Sequence, residues 1–438
     1  MTPLEAGFGT DPWWIVVIKV VLVFVLLLLW TIFNVWFERR VLGKMQNRKG
    51  PIMNGPFGLG QAMGDGVKLL FKEDFRPART DALVYNLAPV LTAVAAFSSW
   101  AVIPFGGTVR MFGVETRLQI SDLPIATLLI LAIAGVGFYG IVLAGWASNG
   151  TYSLLGSMRA TAQVISYEIA MGLSLVAVFM YAGSMSTSEI VAAQRLPMQL
   201  FGWQLPFQGW YFVLLAPSFV IYVISMFGET NRLPFDLAEC ESELVSGHIT
   251  DYSGFRYAMY FLAEYINMAT VSAVATTLFL GGYDAPWPLN NIEVLNSGWI
   301  SVLWFLVKVQ LLIFFFSWVR AALPRFRYDQ FMNLGWKVLI PVNLVWILLL
   351  GLVRGAAINQ WFGSPVFIGT MVVVVLLLLG AVWFTGREEP EEEFLADEAE
   401  PDEFDAFAGG YPVPPMPGQT RMQEVVASTT TEQMGADA

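Results

Sequence analysis

Residues 13–37 read WWIVVIKVVLVFVLLLLWTIFNVWF, 25 residues in which Lys19 is the one charged side chain. A helix rises about 1.5 Å per residue, so roughly 20 apolar residues cross the hydrocarbon core of a bilayer. In lipid, backbone amides and carbonyls must pair within the segment, which leaves the helix as the form for such a run. The stretch is too long for the short apolar core of a secretory leader. The residues before it hold Glu5 and Asp11 but no Lys or Arg. We therefore read it as a retained span.

Outward from this segment the same apolarity recurs. Hydropathy predicts about nine spans, near residues 13–37, 82–103, 123–147, 160–181, 210–227, 257–280, 299–319, 336–352 and 366–384. The fold class expected is an all-α polytopic membrane protein. Of the 438 residues 56% are hydrophobic and 13% charged, about half the charge of a soluble chain. Trp13, Trp14, Trp100, Trp210, Trp299, Trp318, Trp336 and Trp383 fall near span ends and read as an aromatic belt.

Charge sets an expected orientation. The loop after the first span carries Arg39, Arg40, Lys44, Arg48, Lys49, Lys68, Lys72, Arg76 and Arg79. That after the seventh carries Arg320, Arg325 and Arg327, whereas the alternate loops hold only Arg110, Arg117, Arg195 and Arg354. The positive-inside rule places the first set in the cytoplasm and the N-terminus outside. The net charge of −11 belongs to an appendage. From Arg387 onward fourteen acids face two arginines, leaving 22 basic and 21 acidic residues in the rest. This Pro-rich acidic tail, residues 387–438, is expected to be disordered and cytoplasmic.

Cys240 and His248 are the only cysteine and the only histidine. An iron–sulfur cluster needs about four thiolates, and a membrane haem commonly takes two axial side chains. The chain is therefore expected to hold no metal, haem or other redox centre of its own. Residues 50–73 open on Gly50, Pro51, Gly55 and Pro56, then repeat Leu59, Met63, Val67 and Leu70 at helical spacing. This reads as an amphipathic helix near the interface. Its glycines, Gly58, Gly60, Gly64 and Gly66, miss the spacing of a dinucleotide fingerprint and follow no strand.

Ionisable groups inside spans cost roughly 2.5–3.5 kcal/mol on insertion scales, so they mark function by default. Glu168 lies within the fourth expected span and Glu264 within the sixth. Both read as parts of a proton path or of ion pairs within the bundle. Lys19 reads as a snorkelling side chain and Lys308 as a locally paired one. Residues 228–254 break the positive-inside pattern, with Glu229, Asp236, Glu239, Glu241, Glu243 and Asp251 against Arg232. Crowded carboxylates hold exchangeable protons near neutral pH. The interleaved Pro234, Phe235, Leu237 and Leu244 predict a packed loop instead of a solvated acidic face.

Several of these segments, in order, resemble one family. They are Glu38–Gly43, Met45–Pro51, Gly55–Gly58 with Asp65 and Lys68, Gly145–Asn149, Ile165–Glu168, and above all Glu229–Glu239 continued by Glu241–Gly247. Ala263–Tyr265 and Pro324–Gln330 follow. Over residues 13–352, the first eight spans, the chain is similar to the H subunit of NADH-quinone oxidoreductase (respiratory complex I), called subunit 1 in mitochondria. The resemblance implies a bacterial plasma-membrane subunit that forms the membrane end of a quinone chamber, with Arg39, Arg48, Asp65, Arg232, Phe261 and Arg325 near it. It implies a carboxylate path through Glu38, Glu229, Asp236, Glu239, Glu241, Glu243, Glu264 and Glu168. Ubiquinone or menaquinone is then the substrate. FMN and iron–sulfur clusters lie in partners, among them soluble-arm subunits B and D, beside small membrane subunits; no nucleic acid is involved.

The chain departs from the family pattern in a ninth span, residues 353–386, and in its acidic tail. The third span also lacks the acid that some members place there, so Tyr139 or a water would bridge that step. Three other readings compete. They are the related subunit of a membrane-bound hydrogenase, a stand-alone proton-coupled transporter, and a purely structural anchor. The transporter lacks visible support, since no internal repeat is evident.

Overall fold

The structure, a computed structural model, describes residues 11–200, 203–236, 244–291, 293–296 and 298–358, with Gly369, Val373, Leu376 and Gly380. Glu239, Glu241 and Glu243, most of the expected ninth span and the whole acidic tail lie outside the described residues.

Helix α1 spans Trp13–Met45 and is followed by the amphipathic α2, Gly60–Phe71. The expected stripe is present on α2, with Leu59, Met63, Val67 and Leu70 all exposed. Helix α3, Ala82–Ser98, begins where Asp81 accepts from the amides of Leu83 and Val84, and a 3₁₀ turn carries it to Val102. Helix α4 is Ala126–Ser148 and α5 Thr151–Ala182. Asn149 and Gly183 end them in the left-handed region, at φ 54° and 76°. Then come α6, Thr187–Gln194, α7, Ala216–Glu229, α8, Gly254–Phe279, and α9, Ile300–Ala322. The last described run joins α10, Tyr328–Asn333, through a π-helical stretch over Leu334–Leu339 to α11, Ile340–Ile358.

Among the described residues, six helical segments are long and apolar enough to cross a membrane: Trp13–Met45, Ala82–Val102, Ala126–Ser148, Thr151–Ala182, Ile300–Ala322 and Tyr328–Gly355. The fifth and sixth expected spans fall short for different reasons. Trp210–Phe227 is interrupted at Leu215, ahead of Pro217, so that α7 has only 14 residues and ends later, at Glu229. Helix α8 has the length but carries Arg256, Glu264 and Asn267, and fails on apolarity.

The chain is mostly helical, as expected, with a little strand that the reading did not foresee. Among the described residues there are two antiparallel hairpins, β1 (Thr108–Met111) with β2 (Val114–Arg117), and β3 (Pro197–Leu200) with β4 (Trp203–Gln208). In the first, Thr108 faces Arg117 and Met111 faces Val114 across a turn in which Phe112 and Gly113 both take positive φ, 50° and 86°. A two-residue loop of that hand matches the twist of paired strands. The strands have only four to six residues, at the lower limit of what alternation can signal.

Small side chains let the helices approach. A Cβ at Gly140 of α4 would lie 2.0 Å from Thr92 Oγ1 and 2.8 Å from the Ala88 carbonyl of α3. One at Gly228 of α7 would meet the Tyr167 ring of α5 at 2.5 Å. Such close crossings replace the hydrophobic drive that lipid does not supply. The Tyr167 ring stacks on Phe331 at 4.2 Å and its hydroxyl donates to the Phe331 carbonyl at 3.0 Å, tying α5 to α10.

Lys19 and Trp100 resolve differently from their reading, whereas Lys308 is paired as expected. Lys19 does not snorkel; it is buried, 2.7 Å from Asp11 Oδ2, and donates to the Gln119 carbonyl. Lys308 pairs with backbone, donating to the carbonyls of Leu280, Gly282 and Asp284 at 2.7–2.9 Å, with its ammonium 4.3 Å from the Trp210 ring. Trp100 is no belt residue: it is fully buried between Trp30 and Phe105.

Candidate functional site

At the end of the bundle where α1, α8 and α9 converge, Glu38 is buried about two turns before Met45 closes α1. The spacing of α1 turns Asn34 and Glu38 to the same interior face as Leu27 and Thr31. Arg320, in the last turn of α9, pairs directly with Glu38 Oε1, and the Tyr265 hydroxyl donates to Glu38 Oε2 at 2.5 Å. Arg232, from the loop after α7, lies between two carboxylates. Its Nε is 2.8 Å from Glu264 Oε1 and its Nη1 3.7 Å from Glu38 Oε1. The guanidinium stands 4.4 Å from the Tyr265 ring centre. A planar fork that is always charged suits such a bridging place, because it compensates two acids and stacks on an aromatic face at once.

The turn that delivers Arg232 is built locally. Asn231 takes φ 50°, Arg232 N donates to the Phe227 carbonyl, and Gln163 Nε2 donates to the carbonyls of Gly228 and Phe235 at 2.8 Å each. Phe235 and Leu244 are buried, as the packed-loop reading predicts.

The remaining expected chamber residues are spread along the same end. Arg39 pairs with Asp65 at 2.7 Å and Gln61 also donates to Asp65, so α1 and α2 are clipped together by one carboxylate. Arg325 reaches Asp236 at 3.3 Å. Phe261 packs on Tyr265 at 4.8 Å, one turn along α8. Arg48 is exposed and its Nε donates to Gln46 Oε1. Arg232 contacts Glu38 and Glu264.

Two small cavities extend inward. One, of about 50 Å³, is lined by Glu229, Glu264, Asn231, His248, Tyr260 and Asn267 among others. The other, of about 40 Å³ and mostly apolar, is lined by Glu229, Tyr222, Met171, Thr92, Ser99 and Asn267. Each exceeds the roughly 10–15 Å³ that admits one water. Glu229 borders both, and its Oε2 is buried without a hydrogen-bond donor among the described residues. Glu168 is close enough to Glu229 for their charges to interact. Its Oε1 lies 3.6 Å from where a Cβ at Gly135 of α4 would stand, whereas Tyr139 is exposed.

Sequence reasoning missed Tyr265, Arg320, Asn267 and the placement of His248. Tyr265 adjoins Glu264 in the quoted run, and Arg320 was absorbed into the topology count. His248 is isolated in sequence, and only folding brings it to the acids. Burial pushes its imidazole down to about 4. A base depressed in the folded state is neutral there while its unfolded counterpart, near 6.5, takes up a proton. Its stabilising contribution is full above about pH 6.5 and is lost as pH falls from there to about 4, on the order of 3 kcal/mol in all. Thermal melts of the assembled protein across that window should therefore fall more steeply for the natural chain than for His248→Leu. Parallel curves would contradict this assignment.

Among the described residues no group of three His, Cys, Asp or Glu side chains could hold a metal ion. Residues 18–351 match a family model described as NADH dehydrogenase. The chain is 62% identical over 434 residues to a Cutibacterium acnes protein named as the H subunit of NADH-quinone oxidoreductase, covering 98% of this chain and 97% of that one. It is 52% identical over 431 residues to the protein of the same name from Streptomyces avermitilis, covering 96% and 92%.

Proposed function

The chain belongs to the NADH dehydrogenase family as a membrane subunit of NADH-quinone oxidoreductase, and from that premise we propose that it supplies the membrane end of the quinone chamber and the first part of a carboxylate path for protons. The observation that carries this reading is the Glu38–Arg232–Glu264 cluster, joined by a cavity to Glu229. Buried acids and arginines are costly in a bundle that could have kept hydrocarbon there.

Quinone is the substrate. Its headgroup would sit among the side chains of Arg39, Arg48, Asp65, Arg232, Phe261 and Arg325, where guanidinium groups favour an oxygen that gains negative charge on reduction. Soluble partners, subunits B and D of the complex, would close the chamber and bring electrons through FMN and iron–sulfur clusters. Reduction alters the charge balance at Arg325–Asp236 and Arg39–Asp65. That change reaches Glu38 and Glu264 through Arg232, then Glu229 and Glu168. Glu239, Glu241 and Glu243 extend the acids toward the chamber. The basic loops face the cytoplasm, with the N-terminus outside, nine spans in all, and the acidic tail on the cytoplasmic side.

Replacing Glu264 or Glu241 with Gln in the complete complex is expected to lower quinone-linked proton pumping by about tenfold or more. Cluster content and the set of co-purifying subunits should stay largely unchanged. Pumping at the natural rate in both variants would remove the relay role. A photoreactive quinone analogue should label the first loop, between α1 and α3. Its absence there would favour a hydrogenase-like subunit without quinone.

A further inference from the structure

His248 is the chain's single histidine, and the carboxylate path as described makes no use of it. It sits on the one-turn 3₁₀ helix Gly247–Ile249, where its backbone is pressed against α5: a Cβ at Gly156 would meet Gly247 Cα at 2.5 Å and the His248 amide at 3.1 Å. The Ser153 hydroxyl donates to the His248 carbonyl at 3.4 Å. The imidazole is buried and meets the Tyr260 ring edge-on, 5.5 Å between centres at 83°. Backbone and ring are thus both held, and the ring has little freedom to move.

The side chain lines the same 50 Å³ cavity as Glu229 and Glu264. Its Nδ1 is buried with no hydrogen-bond partner among the described residues. A buried polar nitrogen without a partner is costly unless water supplies one. The cavity also has polar walls from Asn231, Asn267 and Tyr260, and it is roomy enough for water.

We propose that His248 is a positioning residue whose Nδ1 accepts a hydrogen bond from a water in this cavity, so that the water bridges Glu229 and Glu264. This rests on the proton-path reading above. Such a water donates one O–H to Nδ1 and the other to one carboxylate, and it accepts from the second carboxyl when that group is protonated. A proton then passes from one acid to the water while the water's own proton passes to the other acid. No atom is gained or lost, and the imidazole stays uncharged. Burial holds it down to about 4, which agrees with a neutral acceptor at physiological pH. The charged groups around the cavity are Glu229 and Glu264, with Arg232 behind Glu264. A cationic imidazole would compete with Arg232 for Glu264; a neutral one leaves that pair intact.

The test uses the complete complex in proteoliposomes, reading NADH:quinone turnover and pumped protons with quinone varied. His248→Leu removes the acceptor at similar volume, and is expected to lower coupled turnover at saturating quinone by about tenfold, with KM for quinone unchanged. His248→Asn places an amide oxygen near the position of Nδ1, and should stay within about threefold of the natural chain, a loss below one tenfold step in barrier terms. If iron–sulfur content shows that the leucine variant does not assemble, His248→Phe, which keeps the ring against Tyr260, takes its place. Natural turnover in the leucine or phenylalanine variant overturns the proposal, and so does an asparagine variant as impaired as they are. Glu264→Gln measured alongside separates the two claims. If it too has no effect, the proton-path reading fails; if it alone is impaired, only the role of His248 does.

Discussion

Replacing Arg232 with methionine is expected to destabilise the assembled subunit by about 3–5 kcal/mol, the loss typical when one partner of a buried ion pair is removed. The side chain is 11% exposed and Glu264 21%. The guanidinium serves Glu38, Glu264 and the Tyr265 face simultaneously, so methionine leaves two acids facing less compensation. Arg320 still faces Glu38, and the deficit is therefore greatest at Glu264. The measurement is the yield of complex containing this chain, with its thermal dissociation. Adding Glu264→Gln to Arg232→Met should recover a large part of the loss, because the uncompensated charge is then gone. Arg232→Lys should recover less, since a point charge cannot span two carboxylates and stack on an aromatic ring. Complex of natural yield and stability with Arg232→Met alone would show that the cluster is not the electrostatic centre of this end of the bundle.

The second large effect is steric. Gly140→Leu should prevent α3 and α4 from meeting, because even the first side-chain carbon would lie 2.0 Å from Thr92 Oγ1 and 2.8 Å from the Ala88 carbonyl. Thr92 can rotate, but the carbonyl is fixed by its helix. Inserted methylenes in a packed interior cost about 1–3 kcal/mol, and a leucine adds several. The Tyr260 hydroxyl donates to the Gly140 carbonyl at 3.4 Å, so the displacement reaches α8 and the cavity beside Glu264. The expected result is loss of the chain from the purified complex. Gly140→Ala should be milder and partly rescued by Thr92→Ala. Gly172 of α5 is the control: nothing lies within 4 Å of its absent Cβ, and Gly172→Ala should be tolerated, gaining up to about 1 kcal/mol of helix preference. Equal tolerance at both positions would remove the close crossing of α3 and α4 as a requirement of the fold.

Both expectations concern contacts between residues far apart in the chain, and that marks the boundary of what could be read without the fold. The membrane class was legible from apolar runs such as residues 13–37, because one helix can satisfy its own backbone in lipid whatever surrounds it. The amphipathic stripe of α2 was legible for the same local reason. Family membership followed from ordered motifs, Glu229–Glu239 foremost. The acids that matter were visible as charges in apolar surroundings. Their partners were not. Arg232 was read only as a chamber residue, and contact adds that it lies between Glu38 and Glu264. Trp100 looked interfacial, and Lys19 looked free to snorkel.

In each case the partners were not read, since at least one of them, such as Gln119 for Lys19 or Trp30 for Trp100, lies tens or hundreds of positions away. The two hairpins were hidden because strands of four to six residues carry little periodicity to read. What the amino-acid order determined by itself is the bilayer as solvent, the helices that bilayer demands, and the family. Only the tertiary arrangement decided which acid meets which arginine, and that one histidine opens onto the cavity shared by Glu229 and Glu264. Ion pairing and cavity formation depend on distance in space, a quantity that separation along a chain does not contain.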